Sequence, residues 1–286
     1  MLTQEIMNES VLRALQEDAP TGDITSETLI PESATATAQL HAREAGVFSG
    51  GQVFAAAFKL VDPKVHIEVL VEDGARMQAG QLLAEVSGSA RSVLRAERVG
   101  LNFAQRMSGI ATLTAAYVDA IAGTNARILD TRKTTPGLRE FERAAVVAGR
   151  GVNHRFSLSD AVLAKDNHLA VLTAGGKDLA TELRRVRTLV GSDIKVEVEV
   201  DRIDQIEPVL AGGVDIIMLD NFTLEELREG VALVANRAIV EASGNVRLDT
   251  VREIAETGVD VISVGALTHS ARALDLGLDI EIGTSA

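Results

Sequence analysis

Apolar residues recur along this chain in two rhythms, and the change between them falls after roughly its first third. The opening stretch is mixed. Residues 5–16 set Ile6, Val11, Leu12 and Leu15 at helical intervals, and Pro20, Gly22 and Asp23 break the run. Val65, Ile67, Val69 and Val71 alternate, so 65–72 reads as a strand. Residues 35–48 and Leu82–Val86 read the same way, with a helix over Gln52–Leu60 between them. Turn signals such as Asp73-Gly74 complete the pattern of a small α+β module.

A long helical stretch begins near Ser92, with Gly109 as a point where it could divide. After Gly123 short apolar runs alternate with amphipathic segments. The runs are Ala126–Leu129, Ala161–Ala164, Lys195–Val200, Asp215–Leu219, Ala238–Glu241 and Asp260–Val264. Among the amphipathic segments are Leu179–Val190, Ile203–Leu210, Leu224–Val234 and Leu248–Glu256. Strands that alternate with helices imply a parallel sheet, and about six such units fit a complete or incomplete (β/α) barrel. A doubly wound open sheet is the competing architecture, but no G-x-G-x-x-G follows the first strand, as a dinucleotide-binding sheet would tend to show. Leu278, Ile280 and Ile282 alternate again, so the last strand could return to the first module. The implied division is 1–112, 113–270 and 271–286.

Composition narrows the picture. Of 286 residues, 46% are hydrophobic and only 3% aromatic, so the core is aliphatic. The net charge of −13 argues against a broad nucleic-acid-binding surface. Cysteine is absent, which excludes disulfides and thiolate-bound zinc. No apolar stretch approaches membrane-helix length, and the opening residues lack the basic-then-apolar order of a leader, so the expectation is a soluble, cytoplasmic protein.

The chemistry lies in where the polar residues fall. Barrel active sites form at the C-terminal ends of the strands. At those ends stand Asp130 to Thr135, Lys165 to His168, Asp220-Asn221, Ser243-Gly244-Asn245 and Gly265-Ala266. From Arg127 to His168 there are eight Lys or Arg against five Asp or Glu, a local excess of cations in an acidic chain. Arg139 and Arg143 read as solvated helix-face residues. Arg132, Lys133 and Lys165 sit at strand ends, and His154-Arg155 follows a glycine-flanked loop. Guanidinium and ammonium groups gathered in this way suit an anionic ligand with more than one acidic group.

Lys195, Glu197 and Glu199 share one face of their strand. Glu197 reads as a partner for Lys195 or for a cation on a neighbouring strand. Glu199 with Asp220 can hold Mg2+, directly or through water, and ribose hydroxyls. Ser243-Gly244-Asn245, before a helix expected near Val246, and Gly265-Ala266 can offer amides to a phosphate.

These residues carry a family resemblance. Asp130-Thr131-Arg132-Lys133-Thr134-Thr135-Pro136-Gly137-Leu138-Arg139 resembles the D-T-R-K-T-x-P-G-x-R signature of the quinolinate phosphoribosyltransferases. Gly22 to Thr25, Glu97-Arg98, Ser108 to Thr112, Gly151 to Arg155, Lys165 to His168, Val196 to Val200, Leu219 to Phe222, Glu241 to Asn245 and Ser263 to His269 follow in family order. Ala242, where serine is more usual, and Thr135, where an apolar residue is, are minor departures.

The resemblance implies an N-terminal α/β sandwich, an incomplete TIM-like α/β barrel and a homodimer. It implies an Mg2+-dependent transfer of phosphoribosyl from phosphoribosyl pyrophosphate to quinolinate, giving nicotinate mononucleotide, pyrophosphate and CO2 in NAD synthesis. Arg132, His154, Arg155 and Lys165 would bind the quinolinate carboxylates, with Arg98 arriving from the partner subunit. Thr131 belongs to the same substrate-binding run. Lys133, Glu199 and Asp220 would serve phosphoribosyl pyrophosphate and its metal, and Lys133, Lys165, Glu199 and Asp220 are the candidate catalytic groups. Ser243, Gly244, Asn245, Val264, Gly265 and Ala266 would receive the 5′-phosphate. A relative with another pyridine acceptor or one associated with molybdate transport, and a non-catalytic phosphate-binding barrel, are the alternatives.

Overall fold

The computed structural model describes residues 2–283; residues 1 and 284–286, which the expected domains include, lie outside the described residues. The chain forms two compact units. One takes the residues up to 115, 135–150 and those from 270 on; the other takes 116–134 and 151–269.

Along the chain the elements are α1 (Gln4–Asp18), α2 (Ile24–Leu29), β1 (Thr35–Ala42), β2 (Gly46–Val47), α3 (Gly51–Val61), β3 (His66–Val69), β4 (Arg76–Met77), β5 (Leu82–Ser89) and α4 (Ala90–Ala120). Then come β6 (Arg127–Leu129), α5 (Arg139–Ala148), β7 (Ala161–Ala164), α6 (Asp166–Leu172), α7 (Leu179–Val190), β8 (Lys195–Val200), α8 (Ile206–Leu210), β9 (Ile216–Asp220), α9 (Leu224–Val234), β10 (Ile239–Ser243), α10 (Val251–Ala255), β11 (Val261–Ser263), α11 (Ala266–His269) and β12 (Leu276–Gly283).

The first unit is built on an antiparallel sheet in the order β12-β1-β5-β3. Alternation sets its faces: Ala36, Ala38, Leu40 and Ala42 of β1 are buried, while Thr35, Thr37 and Gln39 are exposed. β12 pairs with β1 along its whole length, from Thr35 opposite Gly283 to Ala42 opposite Leu276. The strand expected over 35–48 is in fact two. Beyond Ala42 the chain leaves this ladder, and Gly46-Val47 pairs with β4 instead.

α2 was not foreseen. Its six residues carry too little pattern, but Asp23 caps them by accepting from the Ser26 amide at 3.1 Å. Gly109 does not divide α4, which runs unbroken. A Cβ at Gly109 would lie 1.9 Å from the carbonyl oxygen of Arg272, so glycine here permits a close backbone approach.

α5 lies in sequence between two strands of the second unit but belongs to the first. Arg106 of α4 reaches the buried Glu142 at 2.7 Å, and the Phe103 and Phe141 rings meet at 5.0 Å between centroids. Glu142 also accepts from the Thr135 amide at 3.1 Å and its hydroxyl at 2.8 Å, so this buried carboxylate is fully engaged. The expected boundaries at 112/113 and 270/271 miss this excursion. Arg139 and Arg143, expected to be solvated, are half-buried and each has a partner.

The second unit is a six-stranded parallel sheet in the order β6-β11-β10-β9-β8-β7. β6, first in sequence, pairs with β11, the last. That is the wrap of a barrel rather than the reversal of a doubly wound sheet. The wrap stays open between β6 and β7. At this seam Val152 runs beside β6, its amide donating to Ile128 O at 2.8 Å and its carbonyl accepting from Asp130 N at 3.1 Å. Among the described residues no helix is long and apolar enough to cross a membrane.

Candidate active site

The strand ends of the barrel surround a cavity of about 620 Å³. Each strand contributes in turn. β6 leads into Thr131, Arg132 and Lys133; β7 supplies Leu163 and leads into Lys165; β8 supplies Glu199; β9 supplies Met218 and Asp220; β10 supplies Glu241 and Ser243; β11 supplies Ser263. The seam segment adds His154 and Arg155.

β8 shows how pattern becomes placement. Val196, Val198 and Val200 are buried on one face. On the other face Lys195 is exposed, Glu197 is buried and Glu199 is half-buried at the mouth. Of the two partners expected for Glu197, Lys195 is not one; it reaches Asp215 at 3.2 Å. Glu197 instead meets a residue of the seam, His154, whose Nε2 stands 3.0 Å from Glu197 Oε2 and 3.5 Å from Glu241 Oε2. His154 is fixed there because its amide donates to the buried Asp130 carboxylate at 2.6 Å.

Burial alone would strip the imidazole of its proton. Contact with the Glu197 and Glu241 carboxylates, and their charges, outweigh it and push the His154 pKa up to about 10. Burial also raises the Glu197 pKa, with the Glu241 charge adding to it and His154 and Arg155 opposing. Arg155 feels the reverse. Burial and the neighbouring Arg132 charge both lower its pKa, and its Nη1 donates to Ala161 O at 2.9 Å.

At the mouth, Lys165 Nζ donates to Glu199, an ion pair between successive strand ends. The Arg132 Nε is buried and has no hydrogen-bond partner among the described residues. Polar groups in that state are ones a ligand can satisfy.

Opposite them lies the β9–β10 corner. Asn221 and Asn245 adopt left-handed conformations and join through Nδ2 of Asn245 to Oδ1 of Asn221 at 3.1 Å. Gly244, also left-handed with φ +97°, packs so tightly that a Cβ would meet Asn221 Oδ1 at 2.2 Å. The helix expected near Val246 begins only at Val251, so this corner is a glycine turn and not a helix start. Gly265 faces the Lys133 side chain, and Thr268 Oγ1 donates to Lys133 O at 2.8 Å.

Most of the residues read from the sequence therefore gather here. Thr131, Arg132, Lys133, His154, Arg155, Lys165, Glu199, Asp220, Ser243, Gly244 and Asn245 line the cavity, and Gly265 and Ala266 line an adjoining recess beside Lys133 and Ser243. Two do not. Arg98 is exposed on α4 and is absent from the lining, and Val264 is buried with its amide bonded to Leu129 O. Sequence reasoning gave no role to Glu241, Ser263 or Asn221. A glutamate inside the apolar run Ile239–Ser243 was the available signal for the first.

The same chain matches two family profiles: "Quinolinate phosphoribosyl transferase, N-terminal domain" over residues 23–108 and "Quinolinate phosphoribosyl transferase, C-terminal domain" over 110–279. It is 43% identical over 281 residues to the nicotinate-nucleotide pyrophosphorylase [carboxylating] of Mycobacterium leprae, covering 95% of this chain and 96% of that one. It is 38% identical over 266 residues to a probable enzyme of the same name from Bacillus subtilis, covering 93% and 90%. The crystal structure of NadC from Streptococcus pyogenes superimposes with a TM-score of 0.93 at 40% identity, covering 99% of both chains. Profiles spanning both units, relatives matched over nearly their full length and a barrel mouth lined with arginine, lysine and histidine agree: the chain belongs to the quinolinate phosphoribosyltransferase family.

Proposed function

We propose that this cavity joins quinolinate to phosphoribosyl pyrophosphate, releasing pyrophosphate and CO2 and forming nicotinate mononucleotide for de novo NAD synthesis. The observation that carries the reading is the convergence of Arg132, His154, Arg155 and Lys165 on one cavity. Two carboxylates on one flat ring need several fixed cations, and guanidinium forks match them bidentately.

In this reading the cationic side turns the pyridine nitrogen toward C1 of the sugar. Such orientation can supply several kcal/mol of the barrier, on the order of 7–11 in the best cases. As the C1–pyrophosphate bond breaks, positive charge grows at C1, and the carboxylates of Glu199 and Asp220 are placed to stabilise it or to hold the ribose hydroxyls. Lys133 faces the departing pyrophosphate, and the Ser243–Asn245 corner with Gly265 and Ala266 receives the 5′-phosphate. Once ribosylated, the ring nitrogen is cationic and stabilises the electron pair left at C2 when CO2 departs, and that pair then takes a proton from water. No protein nucleophile is needed.

Glu199 and Asp220 offer only oxygen donors on neighbouring strands, a set that suits Mg2+. They would hold it through water, since Lys165 already occupies Glu199. Bound there, Mg2+ would neutralise charge on the pyrophosphate. The cluster of His154, Glu197 and Glu241 brings a nitrogen donor and suits that ion less.

The active unit in this reading is a cytoplasmic homodimer. Arg98 of the partner subunit would complete the carboxylate pocket, which fits its exposure and its absence from the lining of its own chain's cavity. The test is release of CO2 from quinolinate labelled at the C2 carboxylate, with phosphoribosyl pyrophosphate and Mg2+. Turnover with quinolinate and none with nicotinate is expected; the opposite preference would overturn the assignment.

A further inference from the structure

His154, Glu241 and Ser263, which line the cavity, form with the buried Glu197 a polar cluster whose members come from separate elements. His154 Nε2 lies 3.0 Å from Glu197 Oε2 and 3.5 Å from Glu241 Oε2. Ser263 Oγ donates to the other oxygen of Glu241. Glu197 is 2% exposed and Glu241 0%; among the described residues Glu197 Oε1 has no hydrogen bond, and Glu241 Oε2 has only its ion-pair contact with His154.

Two buried carboxylates are a strange choice beneath a site that must attract a dianion. A buried charge costs several kcal/mol unless it is paired. The arrangement makes sense if their task is directed at His154 rather than at the substrate. Charged groups near this cluster include Arg155, which acts on Glu197, Arg132, which acts on Arg155, and Asp130 at the end of β6. Asp130 fixes the His154 amide, while the Arg155 charge acts on Glu197 and would oppose an inorganic cation there.

We infer that Glu197 and Glu241 are positioning residues: from β8 and β10 they clamp the Nε2 edge of His154, and Ser263 holds Glu241 in place, so that His154 meets the substrate as a fixed imidazolium at any physiological pH. The inference rests on the reading of the cavity as a quinolinate site. The two glutamates act through His154, and their loss weakens quinolinate binding most where a lone histidine would be neutral.

The decisive measurement is an NMR titration of the His154 imidazole in the apo protein, assigned with His154→Gln, for the wild type, Glu197→Gln and Glu241→Gln. In the wild type His154 should stay protonated past pH 9. In each glutamine variant its midpoint should fall by about two to three units, since the charge of the lost carboxylate and its contact with the ring are gone while burial still disfavours the imidazolium. KM for quinolinate should rise about tenfold at pH 8.5 in the variants, stay within about threefold at pH 6, and leave KM for phosphoribosyl pyrophosphate within about twofold.

A wild-type midpoint near the ordinary histidine value would overturn the proposal. So would a KM rise of equal size at both pH values, as a merely structural role would give. Loss of the titration that returns on adding a chelator would mean a bound divalent ion, and would overturn it too. If a glutamine variant does not fold, the wild-type midpoint decides alone. Because that titration needs no substrate, a wild type that ignores quinolinate would sink the functional reading without touching the clamp.

Discussion

Lys165, at the end of β7, donates directly to Glu199, at the end of the neighbouring β8. The lysine is half exposed and the glutamate largely covered, so the pair sits on the rim where one side of the cavity meets the other. A residue assigned to the pyridine carboxylates thus touches one assigned to the activated sugar. The two charges offset each other, and on the proposed reading substrate carboxylates would compete with Glu199 for the ammonium.

Lys165→Ala is therefore expected to fold. With Lys165 half exposed on the rim, losing this pair should cost only about 1 kcal/mol, so the thermal midpoint should move by no more than a few degrees. Activity should suffer far more, with kcat/KM for quinolinate falling about a hundredfold or beyond. Steady-state CO2 release together with thermal unfolding checks both halves, and near-normal turnover would remove Lys165 from the site.

Arg132→Lys tests geometry rather than charge. The ammonium keeps the positive charge but loses the fork, so KM for quinolinate should rise about tenfold or more. An unchanged KM would mean that the guanidinium makes no paired contact.

Gly244→Ala should damage the phosphate corner. Its left-handed backbone and the 2.2 Å approach to Asn221 leave no room for a methyl group. We expect KM for phosphoribosyl pyrophosphate to rise while KM for quinolinate changes little, with a stability loss of about 1–3 kcal/mol. Denaturant titration and a two-substrate kinetic grid separate these effects.

The raised pKa of His154 has a signed consequence for stability. Its folded value lies above the unfolded one near 6.5, so the contribution is fully present below that pH and is lost as pH climbs toward about 10. The wild type should exceed His154→Gln in thermal midpoint at pH 6, and the difference should shrink steadily toward pH 10. A constant gap across that range contradicts the charged cluster.

Arg98 can be tested by complementation. Arg98→Ala and Arg132→Ala subunits should each be nearly inactive alone. Mixed by co-expression, they should regain roughly a quarter of wild-type activity, because half of the random dimers carry one intact composite site. Recovery would require that Arg98 act across the interface.

How much of this was legible beforehand follows the physics of each signal. The barrel strands could be read because apolar runs and polar strand ends repeat with a regular rhythm, and Arg132, Lys133 and Lys165 stood out as cations just beyond such runs. The 135–150 excursion could not be read. Its allegiance depends on Glu142 meeting Arg106 and on Phe141 meeting Phe103, pairings between distant positions that leave no local trace. The partner of Glu197 could not be named for the same reason. Strand periodicity gives the face on which a side chain lies but not which loop will close over it, and here the partner was His154. Val264 and Arg98 entered through family resemblance alone, and neither lines the cavity of its own chain.

The ladder between β1 and β12 has a consequence for biogenesis. β1 is made before the barrel strands, yet one of its two neighbours in the sheet is the last described strand to be made. Until then the buried edge of β1 on that side has open amides and carbonyls, the kind of edge that recruits foreign strands. The nascent chain must therefore wait with an incomplete sheet while the whole barrel is synthesised, and a stall or a premature stop ahead of Leu276 would leave a sticky fragment rather than a smaller working enzyme.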